Sequence, residues 1–156
     1  MEPKPVSESR AEFTHLVLPS DTNALGTIFG GRIMEWVDIS AAVVAQRHCR
    51  QIAVTASIDD LHFISPVRLG DIVILHASVN YTGKTSLEIG VRVEAEDPRT
   101  GKRRHTSSAY LTFVALDETG QPTRVPPLLC ETDEDRRRFQ EGQNRRSERI
   151  KRRPKK

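Results

Sequence analysis

Apolar and polar residues alternate strictly through the middle of the chain. Val73, Leu75, Ala77, Val79 and Tyr81 alternate with Ile74, His76, Ser78 and Asn80, and Leu87, Ile89, Val91, Val93 and Ala95 alternate with Glu88, Arg92 and Glu94. A period of two places each apolar set on one face of a strand, so the pattern predicts two half-buried strands joined by the Thr82-Gly83-Lys84 turn. A third strand is predicted over Arg104 to Asp117, with Ala109, Leu111, Phe113 and Ala115 on one face, entered through the hairpin loop Asp97 to Gly101. Phe13 to Pro19 reads as a short leading strand. Over Ala53 to Phe63 the parity changes, since Val54, Ala56 and Ile58 share one face while Leu61 and Phe63 take the other. One extra residue in a bulge at Asp59-Asp60 restores the core-facing order.

The period changes to 3.6 between the first two of these strands. Ile33 to Cys49 contains neither proline nor glycine, enough for four helical turns. At 100° per residue, Phe29, Ile33, Val37, Ser40 and Val44 share one face with Trp36 beside them, and Ile39 and Val43 lie nearly opposite. A helix apolar over most of its circumference is expected to be wrapped on nearly every side. The predicted order is therefore a strand, one buried helix and four strands in tight antiparallel connection, with the sheet curled around the helix. One sheet cannot close the far side, so a dimer is expected.

Asp38 stands out on that helix. Its helical neighbours are Gly31, Met34, Ala41, Ala42 and Ala45, mostly small, and a carboxylate among them is costly unless it is paired, hydrated or used. A structural bond to a nearby loop, to Arg32 or to Arg47 accounts for it as well as a catalytic role does. Before the helix, Asp21, Thr22 and Asn23 suit a turn, and Gly30 and Gly31 leave backbone N–H groups open at the helix start. The same turn accounts for Asn23 as a left-handed turn residue.

Charge is unevenly placed. The chain has 156 residues and a net charge of +3, but residues 131–156 carry 11 Lys and Arg against 6 Asp and Glu, so the rest of the chain is slightly acidic. The basic character thus belongs to the tail. Residues 1–12 are rich in Pro, Ser and charge and are expected to be disordered, 13–130 to form the domain, and 131–156 a polar surface helix and tail. Thr132 followed by Asp133, Glu134 and Asp135 gives that helix a capping pattern. With no apolar periodicity in the tail, removal of Arg145 to Lys156 is expected to leave the fold intact. Cys49 and Cys130 have no metal-ligand or disulfide spacing. With no apolar run of membrane-spanning length and no signal-peptide pattern, a cytoplasmic location is expected.

Several chemistries are disfavoured. Gly26 and Gly31 fall short of a phosphate loop, lacking its Lys and Ser or Thr, and no Gly-x-Ser-x-Gly elbow is present. His62, on a strand after the helix, reads as a packed histidine. Eight basic residues between Arg145 and Lys156 would suit salt-sensitive phosphate binding, but without interleaved aromatics base recognition is not expected.

The segments PSDTNALGTIFGGRIMEWVDISAA, DDLHFISPVRLGD, TGKTSLEI and YLTFVALDETGQP together resemble the hotdog-fold acyl-CoA thioesterases, and within them the YciA and brain-type acyl-CoA hydrolase group, over roughly residues 13–127. The resemblance implies an α+β hotdog fold that dimerises and assembles further, into hexamers. It implies hydrolysis of acyl-CoA to fatty acid and CoA, with no cofactor beyond the CoA of the substrate. The family's catalytic Asn and Asp fall on Asn23 and Asp38 and meet in one site from different protomers. N–H groups near Gly30 and Gly31 are the candidate oxyanion donors, and Asp38 the general base or nucleophile. Lys84, Thr85 and Ser86 lie where similar thioesterases contact CoA, with Arg68 or Arg99 as phosphate partners. The alternative is a non-catalytic acyl-CoA sensor, or a nucleic-acid binder acting through the tail.

Overall fold

The alternating segments pair into one curled antiparallel sheet. In the computed structural model, which describes residues 1–154, the strands are β2 (Ala11–Leu16), β3 (Ile52–Phe63), β4 (Ile72–Thr82), β5 (Ser86–Glu96) and β6 (Arg103–Leu116), in the spatial order β2-β4-β5-β6-β3. Helix α2 (Gly30–Cys49) lies against one face of all five. That face is the predicted one: Val73, Leu75, Ala77 and Val79 of β4, Leu87 to Ala95 at alternate positions of β5, and Ala109, Leu111, Phe113 and Ala115 of β6 are all buried. Helix α2 meets them with Ile33, Val37, Ala41, Val44 and Ala45, and Trp36 stacks on His15 of β2, ring centroids 4.2 Å apart. The fold is the hotdog: a long helix held in a curled antiparallel sheet.

Tyr81 departs from the predicted alternation. The register slips between Val79 and Tyr81, where Val79 pairs with Ile89 and Tyr81 with Glu88. One extra residue reverses the parity, so Tyr81 turns to the outer face and packs on Phe139, with ring centroids 4.9 Å apart. Strand β3 carries the predicted slip between Asp59 and His62, where Asp60 adopts a left-handed φ of 56°, and a second, unpredicted slip between Thr55 and Ser57. That second slip sends Val54 outward and returns Ile58 to the core side. His62 is exposed, not packed. The helix is also less fully wrapped than its composition suggests: Met34 and Ile39 remain 42% and 53% exposed on its open side.

The N-terminal residues are ordered, contrary to the expectation of disorder. Strand β1 (Lys4–Pro5) pairs in parallel with β7 (Leu128–Leu129), and a single turn, α1 (Val6–Ser9), buries Val6. Lys4 also donates through Nζ to the His48 carbonyl at 2.9 Å, tying this segment to the end of α2. His48 is itself buried. Its Nε2 lies 2.7 Å from the Pro126 carbonyl and must donate, which leaves Nδ1 buried without a partner. Burial pushes the His48 pKa below the usual 6.5, outweighing the Pro126 bond that raises it. Because the unfolded chain then binds the proton more readily, His48 costs no stability above about pH 6.5 and progressively more as pH falls below it. A urea midpoint measured from pH 7.5 down to 5.5 should fall in the wild type and fall less in His48→Gln. Equal slopes would remove His48 as a cause.

The last helix, α3 (Asp133–Lys151), starts with the predicted capping box at Thr132 and Asp135. It is not a free surface helix. One face, stepping through Phe139, Gly142, Arg145 and Arg149, crosses the outer side of the sheet from β4 to β3. Phe139 meets Tyr81, Arg145 places two nitrogens at 2.8 Å from the two carboxylate oxygens of Glu88, and Arg149 pairs with Asp59 at 3.0 Å. The Arg145 guanidinium also stacks 3.6 Å from the Tyr110 ring centre. Gly142 is required by contact: a Cβ there would stand 2.8 Å from the Tyr81 Cβ and 2.9 Å from Glu88 Oε2. Arg145 and Arg149, within the segment expected to be dispensable to the fold, are thus tied to the sheet by ion pairs. Lys155 and Lys156, part of the same expected tail, lie outside the described residues.

Candidate active site

Asp38 sits on the open side of α2, and its partner is neither Arg32 nor Arg47. Its Oδ1 accepts a hydrogen bond from the Thr55 hydroxyl at 2.6 Å, while Arg32 pairs with Asp21 and Glu35. Thr55 lies on the edge strand β3, just before the second slip, and its hydroxyl reaches the helix. Its role is not legible in the sequence, where Val54, Ala56 and Ile58 carry the apolar parity and Thr55 falls on the other face; only the slip after Thr55 turns it toward the helix. A short bond of this kind to a carboxylate is among the stronger ones and fixes the rotamer of the acid.

Asn23 belongs to a loop built before the helix. Its own Oδ1 accepts from the backbone N–H groups of Leu25 and Thr27, and its Nδ2 donates to Thr27 Oγ1 at 2.9 Å. Gly26, with a φ of +77°, and not Asn23, takes the left-handed position of this turn. Buried Asp21 secures the loop base, accepting from the Leu18 N–H and pairing with Arg32 at 3.0 Å. The loop docks against the connection from β3 to β4: Thr27 bridges Arg68, Ile28 donates to the Val67 carbonyl and Leu69 to that of Gly26. Gly30 and Gly31 follow at the first turn of α2, where N–H groups have no intrahelical acceptor. The Phe63 ring lies 3.4 Å from where a Gly30 Cβ would stand, which sets the end of β3 beside the helix start.

The candidate residues fall into two groups within one chain. Asn23, Gly30, Gly31 and Arg68 gather at the helix N-terminus. Asp38 is eight residues on, about 12 Å along the axis. Thr55 pairs with Phe113, and Phe113 with Leu87, so the Asp38 end of the sheet is the end that carries Lys84, Thr85 and Ser86. Arg68 and Lys84 stand at opposite ends of β4, whose 11 residues span about 35 Å. The larger cavity, about 870 Å³, opens on the outer face of the sheet and is lined by none of these residues. Cys49, at the far end of α2, is a buried thiol whose pKa burial raises to about 11, which leaves it protonated and inert. Among the described residues no group of three or more His, Cys, Asp or Glu is placed to hold a metal ion, and no helix is long and apolar enough to cross a membrane.

A hotdog with a paired acid on the open side of its central helix defines the class. Residues 25–102 match the thioesterase superfamily. The chain is 42% identical over 128 residues to the uncharacterized acyl-CoA thioester hydrolase YkhA of Bacillus subtilis, covering 82% of this chain and 74% of that one. It is 40% identical over 147 residues to the cytosolic acyl coenzyme A thioester hydrolase of Rattus norvegicus, covering 92% of this chain but spanning only 38% of the rat protein. Among solved structures, an apo-hexameric acyl-CoA thioesterase superposes with a TM-score of 0.93 at 43% identity, covering 97% of both chains. The acyl-CoA hydrolase of Staphylococcus aureus, solved with butyryl coenzyme A, coenzyme A and coenzyme A disulfide, gives 0.86 at 37% identity over 95% of this chain and 93% of that one. That hydrolase has also been solved with an Asn, an Asp and a Thr each replaced by Ala, at positions separated by 15 and 17 residues. The chain belongs to the thioesterase superfamily.

Proposed function

We propose that the protein is an acyl-CoA thioesterase in which Asp38, held by Thr55, is the general base or nucleophile. The observation that carries this reading is the 2.6 Å bond between Thr55 and Asp38 on the open side of α2. Asn23, Asp38 and Thr55 have the same two separations, 15 and 17 residues, as the three replaced positions of the S. aureus hydrolase. In the reaction, Asp38 takes a proton from water as it attacks the thioester carbonyl, or attacks that carbonyl itself to give an anhydride that water opens. Either way the carbonyl oxygen becomes an oxyanion, which the N–H groups of Gly30 and Gly31 stabilise at the positive end of the helix dipole. Asn23 positions the water or the carbonyl, and the C–S bond breaks to release CoA, the one coenzyme the reaction involves. Lys84, Thr85 and Ser86 contact the CoA, with Arg68 reaching it from a second chain. The thioesterase unit, expected over 13–130, takes in β2 from Ala11 and is followed by α3 (Asp133–Lys151), in a cytoplasmic enzyme.

The site is completed by a second copy of the chain. Donors must lie about 3 Å from the oxyanion, and the Gly30 N–H stands about 12 Å along the helix from Asp38 of its own chain. A second helix running antiparallel on the open side brings one chain's Asn23, Gly30 and Gly31 to the other's Asp38. The surface for this is present: Met34 and Ile39 on the open side of α2 and Phe63 near the end of the unpaired edge strand β3 leave apolar side chains exposed, of a kind that marks interfaces. Further assembly into a hexamer accords with the hexameric relative.

Release of free thiol from a panel of short to long acyl-CoAs tests the activity, and a protein that binds them without turnover would be the acyl-CoA sensor instead. Sharing is tested by mixing inactive Asn23→Ala with inactive Asp38→Ala under subunit exchange. A mixed dimer regains one intact site, so activity should return. With exchange verified independently, a mixture that stays inactive would count against a shared site.

A further inference from the structure

Asn23 is bonded almost completely within its own loop. Its backbone N–H donates to the Thr27 carbonyl at 2.9 Å, and its carbonyl accepts from Gly26 at 3.0 Å. Both lone pairs of its side-chain oxygen are taken, by the N–H groups of Leu25 at 2.9 Å and of Thr27 at 3.3 Å. Two N–H donors on that side require the oxygen there, so the nitrogen end of the amide is fixed on the other side. Of the two Nδ2 hydrogens, one goes to Thr27 Oγ1 at 2.9 Å. The second has no acceptor among the described residues. A single N–H is therefore all that the Asn23 amide has left to offer.

Resting on the thioesterase reading above, we infer that Thr27 is a positioning residue. Its hydroxyl and N–H hold the Asn23 amide so that the one free Nδ2 hydrogen donates to the thioester carbonyl. Chemistry decides between the two tasks open to Asn23. Holding the attacking water as an acceptor needs a free lone pair on Oδ1, and neither is free. A donor placed on that water would engage the lone pair that attacks carbon. On the carbonyl, the same N–H strengthens its bond as charge develops on oxygen. The two backbone bonds grip only the oxygen end of the amide, and about that pivot the nitrogen could swing. Thr27 Oγ1, 2.9 Å from Nδ2 and 3.2 Å from Oδ1, pins the other end. Thr27 is itself anchored: it bridges Arg68, and the next residue, Ile28, donates to the Val67 carbonyl at 2.8 Å. Asn23 thus joins Gly30 and Gly31 as a donor carried by the same loop, facing the Asp38 of a second chain.

Calorimetric titration of the intact protein with two CoA thioethers tests this assignment. S-trifluoroacetonyl-CoA carries a ketone whose hydrate imitates the tetrahedral intermediate, and S-propyl-CoA carries no carbonyl. Thr27→Val keeps the shape and the backbone bonds but loses the hydroxyl. It should weaken binding of the ketone about tenfold, as expected for a lost hydrogen bond, and leave S-propyl-CoA unchanged. In hydrolysis the loss should fall on kcat with KM unaltered. Thr27→Ser, which retains the hydroxyl, should bind the ketone nearly as the wild type does. Because Thr27 acts through Asn23, adding Thr27→Val to Asn23→Ala should cost nothing further. Unchanged ketone affinity in Thr27→Val would overturn the assignment. Equal losses on both thioethers would do the same, since Thr27 would then only support the loop, as would losses that multiply in the double variant. A wild type that binds the ketone through Asn23 and Thr27 yet releases no thiol from any acyl-CoA would sink the thioesterase reading and leave the positioning of Asn23 standing.

Discussion

Replacing Asp38 with asparagine should lower the rate constant for acyl-CoA hydrolysis by on the order of 10²-fold or more while leaving the folded protein unchanged. The amide keeps the size of the carboxylate and can still accept from Thr55, so the 2.6 Å contact survives in geometry. What is lost is the negative charge that abstracts a proton or attacks carbon. The loss should fall on kcat with KM little altered, since Asp38 lies at the reacting end and not with the nucleotide. Thr55→Val is the companion change. It removes the hydroxyl, leaves the acid without the bond that fixes its rotamer, and should slow turnover about tenfold. Steady-state kinetics with circular dichroism on the same preparations would decide the matter. An Asp38→Asn protein working at wild-type rate would remove Asp38 from the mechanism.

Arg145→Ala should be the costliest single change outside the core, at about 3 kcal/mol. Glu88 is 2% exposed and is held by both guanidinium bonds of Arg145, with Asn80 donating to it at 3.1 Å. Truncating Arg145 leaves a buried carboxylate with the Asn80 amide alone and removes the stack on Tyr110. The same network is why the outer face of β5 tolerates a glutamate at an otherwise buried position. Urea unfolding at one fixed protomer concentration measures the effect, because stability in an oligomer depends on concentration. Restoring balance with Glu88→Gln in the Arg145→Ala background should recover part of the loss. A midpoint unmoved by Arg145→Ala would show that α3 only rests on the sheet.

The two slips in β3 show where pattern reading reaches its limit. The one at Asp59-Asp60 is visible because apolar residues change parity across it. The one between Thr55 and Ser57 is hidden, because Thr55, Ala56 and Ser57 are small or polar and show no change of parity. The slip at Val79–Tyr81 is hidden for the opposite reason: Tyr81 continues the alternation perfectly and is apolar enough for either face. What turns it outward is Phe139, 58 residues further on. The candidate site divides in the same way. Asn23, Asp38, Gly30 and Gly31 are chemically conspicuous in the sequence, whereas Thr55 acquires meaning only from the strand that carries it past Asp38.

By itself, the sequence determined the elements whose partners are built into their own periodicity: the inward faces of β4, β5 and β6, the buried stripe of α2, the tight turns that make the sheet antiparallel, and the acid set into the helix. These follow from local geometry and the burial of apolar surface, both repeated every two or 3.6 residues. Only the tertiary structure decided what rests on single contacts between distant residues. Lys4 and Pro5 become a strand because Leu128 and Leu129 lie beside them, and α3 is held to the sheet because Arg145 and Arg149 find Glu88 and Asp59. Composition makes both segments look like solvated chain. A charge that finds one buried partner leaves no period in the sequence, and so the pattern could not announce it.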